Sequence, residues 1–188
     1  MVINMDIKMD ITGIDYKRPK KIIVIGSCGS GKTTFSLQLG YITGIPVIHL
    51  DKEYWQPGWV EPIQDEWIKK LNELMSKDKW ILDGNFKSSL ELRLQQADTV
   101  IFLDFKRHLC LYRVGKRFLK NFNKSRPDMP EGCNEKIDLD FIKFIWKFPE
   151  NTRPVIYDKL SKYSLKKIIL RTPKEAELFL NKLNKQYI

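Results

Sequence analysis

The chain has 188 residues, 43% of them hydrophobic and 12% aromatic, enough for one packed domain and too apolar for a disordered chain. Its 33 Lys and Arg against 23 Asp and Glu give a net charge of +10, a balance that suits a polyanionic partner such as nucleotide phosphates, nucleic acid or acidic lipid. No apolar run reaches the length of a membrane span, and Cys28, Cys110 and Cys133 together with His49 and His108 have no zinc-site spacing.

Residues 1–19 carry Asp6, Asp10 and Asp15 and no apolar signal core. They read as a weakly ordered lead-in to a single domain over 20–188, with a lid-like helical insert at about 105–150. The three scattered cysteines read as reduced thiols of a cytoplasmic protein.

Lys20–Gly26, "KKIIVIG", predicts a strand buried on both faces. A helix should run from Lys32 to about Gly40–Thr43, with Phe35, Leu37 and Leu39 among its apolar residues, and stop at Gly44 and Pro46. Pro46–Asp51 predicts a second strand and Glu53–Trp59 an aromatic turn punctuated by Pro57-Gly58. Ile63, Trp67, Leu71 and Leu74 form one stripe of a helix that starts at Pro62 and reaches about Lys77. Trp80–Asn85 predicts a third strand, Ser89–Gln96 a short helix and Asp98–Asp104 a fourth strand.

Residues 105–124 predict a long basic helix, 125–138 a loop, Asp138–Phe148 a helix stopped by Pro149, and Pro154–Tyr163 another. Lys166–Leu170 predicts a fifth strand. The last helix opens on Thr172-Pro173-Lys174-Glu175, a capping box with proline in the first turn. Apolar strands alternating with helices predict an α/β fold: a parallel sheet with helices on both faces.

Gly26-Ser27-Cys28-Gly29-Ser30-Gly31-Lys32-Thr33 matches the phosphate-binding pattern G-x-x-x-x-G-K-[ST], between a predicted strand and a predicted helix. Glycines let successive N–H groups point inward as an anion nest, and the helix adds the positive end of its dipole. Ser27, Cys28 and Ser30 would line the loop through their backbones, and Thr34 continues it into the helix. Lys32 is placed to reach the β- and γ-phosphates of ATP, and the Thr33 hydroxyl to ligate Mg²⁺.

Asp51, Asp83 and Asp104 each follow an apolar run, where parallel sheets bind ligands. Asp83 is expected to hold Mg²⁺ or its waters and Asp51 to accept a proton from a substrate hydroxyl. Asp104 reads as a capping residue. Between Phe105 and Arg126 stand eight Lys or Arg and no acid. Lys106, Arg113, Arg117, Lys120 and Lys124 share one helical face, with Leu111, Val114, Phe118 and Phe122 opposite. That face reads as a lid on which Arg113 and Arg117 clamp phosphate, since guanidinium meets phosphate bidentately, with a solvated basic face or a nucleic-acid-facing helix as the alternatives. Arg93, Arg126 and Arg153 are further clamps of weaker claim. Tyr54, Trp55 and Trp59 are expected either to stack an acceptor base or cover the site against water, or to pack a loop onto the core.

"GSCGSGKTT", "IHLDKEYWQPGW", "WILDGNF", "ADTVIFLD" and "RPDMPEGCNEKIDLDFIKFIWKFP" together resemble the adenylate-kinase-like P-loop proteins often labelled DNA topology modulation proteins. The resemblance runs from about Lys21 to Pro149. It implies a nucleotide-kinase-type three-layer fold with a five-stranded parallel sheet, nucleotide at Gly26–Thr33, an arginine-bearing lid after the fourth strand, and Arg171-Thr172-Pro173 near the adenine. Adenylate kinases carry Asp-Gly-Phe-Pro-Arg after the third strand. This chain has Asp83-Gly84-Asn85-Phe86-Lys87 there, which leaves the acceptor open. Two functions follow as expectations. One is a Mg²⁺-dependent kinase of a nucleotide or other small molecule. The other is a nucleotide-dependent regulatory protein that meets nucleic acid through the basic helix and turns over little ATP.

Overall fold

A computed structural model describes residues 19–121, 129–134 and 138–187. Five strands form one parallel sheet: β1 (Lys21–Gly26), β2 (Val47–His49), β3 (Trp80–Asp83), β4 (Thr99–Leu103) and β5 (Lys166–Leu170). Their order is β2-β3-β1-β4-β5, so β1, which leads into the glycine-rich loop, lies at the centre. The α-helices are α1 (Lys32–Thr43), α2 (Leu50–Tyr54), α3 (Gln64–Met75), α4 (Leu90–Gln96), α5 (Arg107–Lys120), α6 (Leu139–Trp146), α7 (Arg153–Ser161) and α8 (Pro173–Tyr187).

The pleat of β1 divides the core. Ile22 and Val24 point to one face, where Phe35 and Leu39 of α1, Val114 of α5 and Leu180 of α8 pack on them. Ile23 and Ile25 point to the other, against Trp67 and Leu71 of α3, Leu94 of α4 and Ile156 of α7. Both faces are covered, which is why the strands read as unbroken apolar runs.

Several boundaries move from the sequence expectation. The second strand ends at His49, because Leu50 leaves the sheet to bury itself completely in the second core and starts α2. Asp51 therefore stands on a helical turn. Leu37 is solvent-exposed although Phe35 and Leu39 are buried. On α3 the buried stripe is Trp67, Leu71 and Met75, and Ile63, in place of starting the helix, caps it from an exposed extended position. The basic helix runs from Arg107 to Lys120, with Lys106 as its N-cap. The predicted lead-in up to residue 18, and Phe122, Lys124 and Arg126 of the basic segment, lie outside the described residues. Thr172 caps α8 as read, while the Glu175 carboxylate reaches past it to the residue before. Glu175 N donates to Thr172 Oγ1 at 3.2 Å, and Arg171 N donates to Glu175 Oε2 at 2.8 Å.

Candidate active site

The loop between β1 and α1 is shaped by two left-handed glycines, Gly29 at φ 80° and Gly31 at φ 90°. A side chain at Gly29 would also collide with the Cys110 carbonyl of α5, so glycine is required there twice over. Ser30 N donates to Ser27 O at 3.0 Å and closes the curl. Gly31 caps α1 without a side chain, so no cap side chain stands over the helix N-terminus. Lys32 folds back over the loop, its Nζ donating to Gly26 O at 3.0 Å and Ser27 O at 3.2 Å.

This loop forms one wall of a cavity of about 1420 Å³ beyond the carboxyl ends of the strands. Residues 28–34, Asp51, Asp83, Arg113 and Arg117 all line it. Gly26 and Ser27 do not. They lie behind the loop, with their carbonyls taken by Lys32.

Asp83 is buried. Its Oδ2 lies 3.0 Å from His49 Nδ1, while its Oδ1 is buried with no hydrogen-bond partner among the described residues. A bare buried carboxylate oxygen is costly. It fits a cation that the chain itself does not contain, and Mg²⁺ is commonly held by one or two carboxylates plus phosphate oxygens. Among the described residues no cluster of three or more His, Cys, Asp or Glu is arranged for a metal. Asp104 turns away from the cavity. Arg153 Nε donates to its Oδ1 at 2.6 Å and the Tyr157 hydroxyl to its Oδ2 at 3.1 Å. Burial first, and the Asp104 charge second, push the Tyr157 phenol up.

Arg113 and Arg117 of α5 are half-buried and line the cavity, and Arg113 Nη1 donates to Ser30 O at 3.1 Å. The other arginines read as possible clamps do different work. Arg153 holds Asp104. Arg93 is fully buried and faces no phosphate. Its guanidinium donates to Gly84 O at 2.8 Å, to Phe86 O at 3.0 Å and to Asn85 O, bracing the loop after β3. Burial pulls its pKa down to about 9. The carbonyls that accept its donors keep the charge solvated at neutral pH.

Trp55 and Trp59 line the cavity edge to face, with ring centroids 5.4 Å apart. Tyr54 instead packs on Trp67 and Phe86 in the core, the bland one of the two alternatives for this segment. Pro173, Ala176 and Leu180 of α8, after the turn that follows β5, also line the cavity.

No family model and no curated protein matches this chain. Solved structures do resemble it. Shikimate kinase from Bacteroides thetaiotaomicron superposes with a TM-score of 0.53 at 15% identity, over 89% of this chain and 98% of that one. Shikimate kinase from Acinetobacter baumannii, solved with shikimate, gives 0.51 at 15% identity over 90% and 93%. Deoxyadenosine kinase from M. mycoides gives 0.49 at 16% identity over 88% and 98%. The fold is that of the P-loop kinases.

Three residues of this site take positions that the sequence expectation did not assign them. His49 reads there as an isolated histidine, yet the register of β2 on β3 sets it directly opposite Asp83. Asn85 grips the start of the glycine-rich loop with both ends of its amide. Its Oδ1 accepts from Gly26 N at 2.9 Å and its Nδ2 donates to Gly26 O at 2.6 Å. Arg93 braces Asn85 from behind. Strand register is the one signal that could have paired His49 with Asp83, and sequence periodicity does not supply it.

Proposed function

We propose that this chain is a Mg²⁺-dependent phosphotransferase that moves the γ-phosphoryl of ATP to a small-molecule acceptor. The observation that carries the reading is convergence. The glycine-rich loop, Lys32, Thr33, two acids and two arginines from five separate elements line one cavity. Phosphoryl transfer is catalysed by positioning and charge stabilisation, and these are the groups that supply both.

ATP brings the transferable phosphoryl, and Mg²⁺ neutralises phosphate charge. The chain's residues do the rest. The loop amides and the N-terminus of α1 receive phosphate oxygens. Lys32 exchanges its two loop carbonyls for phosphate oxygens. Thr33 and Asp83 hold the cation. Arg113 and Arg117 reach in from α5 to stabilise charge on the moving group. Asp51, which lines the same cavity, accepts the proton of the acceptor hydroxyl. Trp55 and Trp59 wall the acceptor side against water.

The cavity-lining position of Arg113 and Arg117 supports this reading over a nucleic-acid-facing helix, which would present them to solvent. The resemblance to topology modulation proteins is compatible with a kinase site and adds no acceptor. The test is Mg²⁺-dependent ADP release across nucleosides, nucleoside monophosphates and small hydroxylated metabolites, with Lys32→Ala alongside. The reading expects one acceptor class to stimulate release in the wild type and not in the variant. ATP binding without stimulation by any acceptor would overturn it.

A further inference from the structure

The Asp83 carboxylate is divided between two fates. Its Oδ2 is engaged by His49 and its Oδ1 is bare. A carboxylate can only accept, so the proton of that bond sits on His49 Nδ1. His49 is itself fixed. It ends β2 in extended geometry, opposite Asp83 in the parallel register, and Leu50 after it is wholly buried. The backbone that carries the imidazole is therefore held in place, and the bond favours one orientation of Asp83.

We propose that His49 is the positioning residue of the magnesium site. It ties down one oxygen of Asp83 so that the other is presented, already oriented, to the cation or to a water on it. The inference rests on the phosphotransferase reading. An unanchored Asp83 could swing to satisfy its bare oxygen elsewhere, and the cation would then have to select the productive rotamer out of several. Partners that orient a ligating side chain in this way commonly contribute about 10–100-fold in metal affinity.

The test uses the full chain and reads binding, not turnover. ATP affinity is measured by calorimetry at increasing free Mg²⁺ and in excess chelator, for wild type, His49→Ala and His49→Asn. The Asn side chain can place an amide donor where Nδ1 stands. We expect His49→Ala to need about 10–100-fold more Mg²⁺ for half of the metal's effect on ATP affinity. Its affinity in chelator should match wild type, and His49→Asn should recover most of the loss. In an Asp83→Asn background, His49→Ala should have no further effect on the Mg²⁺ requirement. A wild-type Mg²⁺ requirement in His49→Ala, or an equal further loss on top of Asp83→Asn, overturns the proposal while leaving the phosphotransferase reading intact. If wild-type ATP binding ignores Mg²⁺ altogether, the phosphotransferase reading falls and this inference with it.

Discussion

Replacing Arg93 with methionine removes the brace under the loop after β3 while keeping an unbranched chain of similar length. The buried carbonyl of Gly84 and the half-buried ones of Asn85 and Phe86 then lose this donor. An orphaned buried acceptor costs about 1–3 kcal/mol, and the effects of neighbouring groups do not simply add. Removing the guanidinium also relieves the burial that pulls its pKa down to about 9, which offsets part of the loss. The net expectation is a destabilisation of about 2–4 kcal/mol, a large share of the roughly 5–15 kcal/mol that holds a domain together. There is a second consequence at the site. Phe86 sits at φ 28°, a strained value that the brace maintains, and Asn85 beside it grips Gly26. Release of that loop should weaken ATP binding by about tenfold, or roughly 1.4 kcal/mol, at temperatures where the variant is still folded. Urea unfolding by fluorescence and circular dichroism reads the first effect, and calorimetry reads the second. A midpoint shift worth less than about 0.5 kcal/mol, the level of an ordinary surface change, would refute the role given to Arg93.

Asn85→Ala keeps the fold but frees Gly26, so ATP affinity should drop about threefold to tenfold with little change in the urea midpoint. An unchanged affinity would show that the glycine-rich loop holds its own shape. Asp104→Asn weakens the grip of Arg153 and Tyr157 and should cost about 1–3 kcal/mol in stability, with turnover intact in the folded fraction. Loss of turnover without loss of stability would put Asp104 in the chemistry. In thiol alkylation of the native chain, Cys28 at the cavity wall should label first, and Mg²⁺ with ATP should slow it. Cys110 should stay unlabelled, because it is buried and burial pushes its thiol pKa up. Labelling of Cys28 at the same rate with and without nucleotide would argue against phosphate binding at this loop.

The sequence made the sheet legible because its strands are buried on both faces and so appear as short apolar runs ended by Gly26, Asp83 and Asp104. The glycine-rich loop was legible from residue spacing alone, since its backbone needs glycine at Gly29 and Gly31. What periodicity missed depends on neighbours across the sheet. Leu50 looks like one more strand residue, and only the space beneath Gly84 explains why it turns inward and carries Asp51 onto a helix. Arg93 reads in the sequence as a further phosphate clamp, and the carbonyls that claim it instead come from a loop of irregular backbone. His49 and Asp83 are 34 positions apart, and strand pairing makes them neighbours.

The most direct test of the central claim follows the fate of the phosphoryl group itself. Wild-type chain with Mg²⁺ and ATP labelled in the γ-phosphoryl would be incubated with a pooled set of small hydroxylated acceptors, and the products separated. The account predicts label in an organic product, matched by an equal amount of ADP and absent with Lys32→Ala. Label appearing only as inorganic phosphate, or remaining in ATP with every acceptor present, would contradict it.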